Sequence, residues 1–195
     1  MSTSADSEID IVNRGLILIG ADTITAFTDS TVEATVANAM YEDTVRAALS
    51  SHRWRFASKQ VTLTANATAP TSRWDSAYDL PFEALVVNAV TVNDYPIEYD
   101  IYGKQVYCNA TSTDTVVLDY TERAVEVDWP PYFVMHVAYA MAHVFALSVA
   151  RDEGMAQLME NRAEVLLMKA RAKDSQQQTT KKFHTSRFIT TRQSY

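Results

Sequence analysis

SSHRWRFASKQVTL, residues 50–63, marks the point where the hydrophobic period of this chain changes. Before it, apolar residues recur every three to four positions. Val32, Val36, Ala39 and Met40 form one stripe, and Val45, Ala48 and Leu49 extend it, which predicts a helix from about Ser30 to His52. Ser30 or Thr31 is placed to cap it, with Glu33 in its first turn. Within and after the quoted stretch, Trp54, Phe56, Val61 and Leu63 point to extended chain. Trp54 and Phe56 are two apart and share one face of such a segment, whereas Arg53 and Arg55 face the other way. The aromatic pair is expected to plug the junction between a helical body and a sheet. The arginines are candidates for acids across a subunit contact.

Working outward, residues 6–19 predict a first helix through Ile9, Val12, Leu16 and Ile19, stopped at Gly20, with a linker over 21–29. Downstream, LVVNAVTV, IEYDIY, KQVYCN and DTVVLDYT are short β-prone runs. Turn signals at Asn93-Asp94, at Gly103 and over 111–113 separate them, which predicts antiparallel pairing. Pro130-Pro131 closes the β region and opens a third helix to about Val149. That helix is apolar nearly all round, as a central helix is. A fourth is expected from Asp152 to Lys173. Together these predict an α+β chain: a helical bundle of two N-terminal and two C-terminal helices (1–53 and 130–174), a small antiparallel β module inserted at 54–129, and an extended C-terminal arm at 175–195.

Composition narrows the function. A 195-residue chain buries enough apolar surface to fold without staples. Its one cysteine, Cys108, forms no internal bridge, which fits a reducing cytoplasm. The polar, acidic N-terminus MSTSADSEID does not resemble a signal peptide. The longest apolar run, Tyr132–Ala150, approaches the length of a membrane span, but His136, His143 and Ser148 interrupt it and charges flank it, so a buried helix is expected. The first 178 residues carry 13 cations against 24 acids, net −11, and the last 17 carry +4 with no acid. Such a body does not grip nucleic acid over a broad face. The arm combines Lys181, Lys182, Arg187 and Arg192 with Phe183, Phe188 and Tyr195, and these seven are the candidate partner-docking residues.

Candidate chemistry is sparse. His136 and His143 are seven apart on one helix face without a third ligand between them, so they read as packed histidines and no metal or other cofactor is expected. Asp94, Glu98 and Asp100 lie close together on a β segment and read as a solvated strand or turn. No serine is framed as a nucleophile elbow and no glycine-rich phosphate loop occurs. An enzyme is therefore not expected, and the alternative is a small cell-wall-degrading hydrolase.

Three consecutive elements carry a family likeness: DIVNRGLILIGADTITAFTDS, then TVEATVANAMYEDTVRAALSS, then HRWRFASKQVTLTA. With Ile19-Gly20, Ile24, the Ala-rich helix, Trp54-x-Phe56 and the YDLPFEAL step at 78–85, the chain resembles the tail tubular protein A family. These are head-to-tail adaptors of short-tailed bacteriophages. The chain departs from that family in having Ala21-Asp22 after Ile-Gly, and the arm is its least familiar part. The resemblance implies a ring, commonly of twelve subunits, assembled in the host cytoplasm and located in the virion at the head-tail junction. The implied partners are the portal protein above, a tail nozzle protein of the tail tubular protein B kind below, and tail fibres outside. Double-stranded DNA would pass through the lumen without sequence-specific binding. The resemblance implies no catalysis and no membrane.

Overall fold

In a computed structural model, which describes residues 7–68, 70, 73–111 and 113–177, the chain is α+β. The helices are α1 (Glu8–Ile19), α2 (Val32–Ser50), α3 (Pro131–Phe145) and α4 (Glu153–Gln176). The strands are β1 (Ser58–Thr62), β2 (Ser76–Asp79), β3 (Ala84–Val92), β4 (Tyr95–Pro96), β5 (Tyr99–Tyr102), β6 (Gln105–Cys108) and β7 (Val116–Glu122).

Each helix end has a local cause. Ser7 and Asp10 form a reciprocal capping box at the start of α1, and Gly20 ends it with φ 74°, its N–H returning to Ile17 and Leu16. Thr31 caps α2 through Ala34 N–H, and Asp152 caps α4 through Met155 N–H. The loop between α1 and α2 is held from within. The Asn13 side-chain amide both donates to Ile24 O and accepts from Ile24 N, each at 2.9 Å, and Ile24 is buried. Asp29 Oδ2 accepts from Thr25 N–H, Thr25 hydroxyl and Ala26 N–H.

α3 is the centre of the bundle and packs against α1, α2 and α4. With its continuation to Ala150 it is long and apolar enough to cross a membrane. Here Phe133, Val137, Met141 and Phe145 are instead sunk among the other helices. Gly15 of α1 allows the closest approach: a Cβ there would lie 3.1 Å from Ala138 O and 3.2 Å from Met141 Cβ. The expected end of α3 near Val149 is refined. Its regular turns stop at Phe145, a π-helical turn follows over Ala146–Ala150, and Arg151 reverses the chain with φ 53°.

The β module holds two antiparallel sheets, one in the order β1-β7-β3-β4 and the other β2-β6-β5. Tyr78, Val90, Val106, Cys108 and Leu118 come from both sheets and share one core between them. Asn93 and Asp94 both have positive φ in the two-residue turn that pairs Val92 with Tyr95, as a type I′ hairpin requires. β2 lies outside the strand runs read from the sequence.

The two hydrophobic cores place the module limits inside 54–129. Trp54, Ala57, Ala124 and Trp129 belong to the helical core, and the first strand begins at Ser58. Trp54 and Phe56 therefore lie in the turn before β1 rather than in a strand. The start of the arm also moves. α4 continues through Ser175 to Gln176, because Asp174 docks that last turn onto the bundle.

Candidate functional site

Two regions gather the side chains singled out above: the junction around Trp54, and the faces of α3 and α4 that carry the histidines.

At the junction, the chain leaves α2 and turns back under α3. Trp54 is fully buried, and its indole Nε1 donates at 3.0 Å to Ala48 O, a carbonyl at the end of α2 that also accepts from the Ser51 N–H and hydroxyl. Its ring meets Phe133 at 5.0 Å and 70°, His52 at 4.9 Å and 80°, and Phe56 at 5.9 Å. Phe56 and Trp129 also pack on Phe133, at 5.0 and 4.9 Å. The first turn of α3 is thus held in a bowl of aromatic edges and faces.

Of the arginines flanking Trp54, Arg53 finds a side-chain partner within the chain, and Arg55 is held through its backbone. Arg53 pairs with Asp119 of β7, and the Arg55 backbone N–H donates to both oxygens of Asp174, at 3.2 Å each. Asp174 also accepts from Tyr132 hydroxyl at 3.1 Å and lies 3.7 Å from His52 Nε2. Burial is the largest influence on His52 and holds its pKa below the usual imidazole value, against the pull of Asp174. At neutral pH that contact therefore joins a neutral ring to a carboxylate. A second clasp joins bundle and module: Arg123 grips Glu42 of α2 at 3.0–3.1 Å and Glu126 at 2.6 Å, with Tyr41 hydroxyl also on Glu126.

His136 and His143 hold α4 against α3. Their Nδ1 atoms lie 3.0 Å from Ala163 O and 3.1 Å from Ala156 O. The seven-residue spacing on α3 meets the same spacing on α4, and the small side chains of Ala156, Ala163 and Ala170 let the helices approach. A ring that donates to a carbonyl carries its proton on Nδ1. Among the described residues, no group of three or more His, Cys, Asp or Glu is arranged to hold a metal ion.

Burial pushes the His136 pKa below its ordinary value of 6.5, with the bond to Ala163 O opposing. The folded state then resists a proton that the unfolded chain accepts. Stability should be complete above about pH 6.5 and fall as pH drops toward the lower folded value. Melting between about pH 7.5 and 5.5, across the imidazole range, should show this loss, and His136→Gln should reduce it. An unchanged pH slope in that variant would remove His136 as its source.

Of the three acids of the β segment, Glu98 and Asp100 come together on one cavity and Asp94 is not among its lining. Asp94 sits in the hairpin turn. Asp100 accepts from Arg73 at 2.6 Å and from Tyr102 hydroxyl at 3.1 Å, and the Arg73 bond above all holds its carboxyl below the usual range. A carboxyl held ionised in this way is unsuited to donating a proton at neutral pH. Glu98 and Asp100 share the lining of an open cavity of about 620 Å³ with Trp74, Tyr99 and Asn109. Sequence reasoning missed Asp174, whose place in the last turn of a helix shows no pattern of burial. The seven arm residues, Lys181, Lys182, Phe183, Arg187, Phe188, Arg192 and Tyr195, lie outside the described residues.

Neither a family model nor a curated protein matches this chain.

Proposed function

We propose that the chain is a structural head-to-tail adaptor of a bacteriophage. In this reading it forms a homo-oligomeric ring, of twelve subunits as in the family it resembles, between the portal protein and the tail nozzle protein. Double-stranded DNA passes through its lumen, tail fibres attach outside, and the arm from about residue 179 docks on the portal.

The observation that carries this reading is the use of the residues behind the family resemblance. Ile19-Gly20 ends α1, Ile24 is clasped by Asn13, and Trp54-x-Phe56 seats the end of α2 under α3. The likeness is thus made of residues that form one contiguous scaffold. Two further features fit a ring subunit. Val32 and Met40 on α2, Met135 on α3, and Leu158, Val165 and Met168 on α4 are exposed, which supplies apolar area for lateral contacts. The net charge of −7 keeps a lumen from holding polyanionic DNA.

The test is to mix the purified chain with assembled portal and measure mass by light scattering. A ring-sized complex is expected, since cyclic closure repeats one heterologous contact. A chain that stays monomeric and leaves the portal unbound would overturn the reading. Clearing of a peptidoglycan suspension by the same preparation would favour a wall hydrolase instead.

A further inference from the structure

α4 carries charge of opposite sign on its two flanks. Ala156, Ala163 and Ala170 are buried on the face that meets α3. At about 100° per residue, Glu160, Glu164 and Leu167 fall to one side of that face, and Leu166, Lys169 and Lys173 fall to the other. All four of these charged residues are exposed.

Each flank forms one wall of a groove. The acidic flank, with α2 and α3, bounds a groove of about 380 Å³ whose floor is small, with Ala47, Ala140 and Ala163 beside His143. The basic flank, with the first turns of α3, bounds a groove of about 500 Å³ lined by Tyr132, Met135, Leu166 and Ala170. No lysine or arginine lines the first, and no acid lines the second. Arg171, at the foot of the first, is engaged with Ser51 O at 2.8 Å.

Such a pair of surfaces fits a second copy of this chain. A flank set against its own equivalent would bring like charges together, whereas the acidic flank of one copy against the basic flank of the next brings opposite charges together. Because the flanks lie on opposite sides of the α3–α4 contact, a copy docked at one leaves the other open. The contact can then repeat from copy to copy, as a heterologous interface does. The basic side also has apolar area to bury, since Met135, Leu158 and Val165 are exposed.

We propose that neighbouring subunits meet through these two flanks of α4, with Lys169 and Lys173 of one copy against Glu160 and Glu164 of the next and Met135 over the alanine floor. The proposal rests on the ring reading and deepens it, by naming the lateral contact.

The test uses the full chain and charge exchange. Glu160→Lys with Glu164→Lys makes both flanks basic, and Lys169→Glu with Lys173→Glu makes both acidic. Each variant alone should self-associate roughly tenfold or more weakly than the parent in light scattering at low ionic strength, the range set by losing and reversing two exposed ion pairs. An equimolar mixture of the two should assemble again, because opposite flanks then alternate. A chain carrying all four exchanges should assemble alone. If a variant fails to fold, a zero-length carbodiimide on mixed isotope-labelled and unlabelled parent reads the same contact. Lys169 or Lys173 of one chain should then be linked to Glu160 or Glu164 of another. Reversals that leave assembly unchanged, a mixture that stays dissociated, or interchain links confined to other residues would overturn the contact and leave the ring reading standing. A parent that is monomeric alone yet binds the portal would do the same, whereas a parent that neither assembles nor binds the portal would overturn both.

Discussion

Trp54→Ala is expected to lower stability by about 3–5 kcal/mol, the range for truncating a large buried aromatic. Trp54 is completely buried and contacts three aromatic rings, so deletion opens a cavity at the start of α3. It also removes the buried indole bond to Ala48 O, leaving that carbonyl to its bonds from Ser51. Trp54→Phe keeps most of the volume and loses that bond, so its cost should be clearly smaller. Thermal or denaturant melting reads both. An alanine variant that melts within about 1 kcal/mol of the parent, as exposed sites do, would show that the junction does not depend on this ring.

Asp174→Ala is the second large effect, expected at about 2–4 kcal/mol because it orphans partly buried donors. A carboxylate in the last turn of a helix faces the negative end of the helix dipole, which disfavours it. Asp174 is nevertheless 1% exposed. The Arg55 N–H and Tyr132 hydroxyl bonds must therefore outweigh both the dipole and the cost of burial. Asp174→Asn retains an acceptor and should recover part of the loss. Hydrogen exchange would localise the damage, with faster exchange in the last turns of α4 while α1 stays protected. Uniform loss of protection over all four helices would instead mean that Asp174 supports the whole bundle.

The elements with local causes were legible in the sequence. Gly20, Thr31, Pro130-Pro131 and Asn93-Asp94 each act through their own backbone or nearest turn, and the structure places helix ends and hairpins at these positions. The strand runs at 85–92 and 114–121 were legible from their β-branched content, and they pair with each other across two register shifts. What was not legible depends on distant residues. Trp54 and Phe56 have strand spacing, yet they lie in a turn because Phe133 offers a deeper site than any sheet face. Arg53 looked outward in a local reading and meets Asp119, a residue far along the chain. α4 passes its expected end because Asp174 gains partners from the turn before β1 and from α3. The histidines could be read as packed rather than ligating, but their match to two alanine carbonyls required the register of α3 against α4.

The β module leaves and rejoins the bundle at almost the same point. Glu122 N–H donates to Ala57 O at 2.8 Å, and Lys59 pairs with Glu122 across the same ladder. This has a consequence for the order of folding. The bundle is split in sequence: α1 and α2 emerge early, and α3, which each of them needs, follows only after the whole module. Closing that interval as an open loop carries an entropic penalty that grows with its length. Once β1 and β7 have paired, the ends of the interval are already in contact, and the loop left for the bundle to close is short. Module first, bundle second is then the faster route, because the long-range helix contacts inherit a short loop.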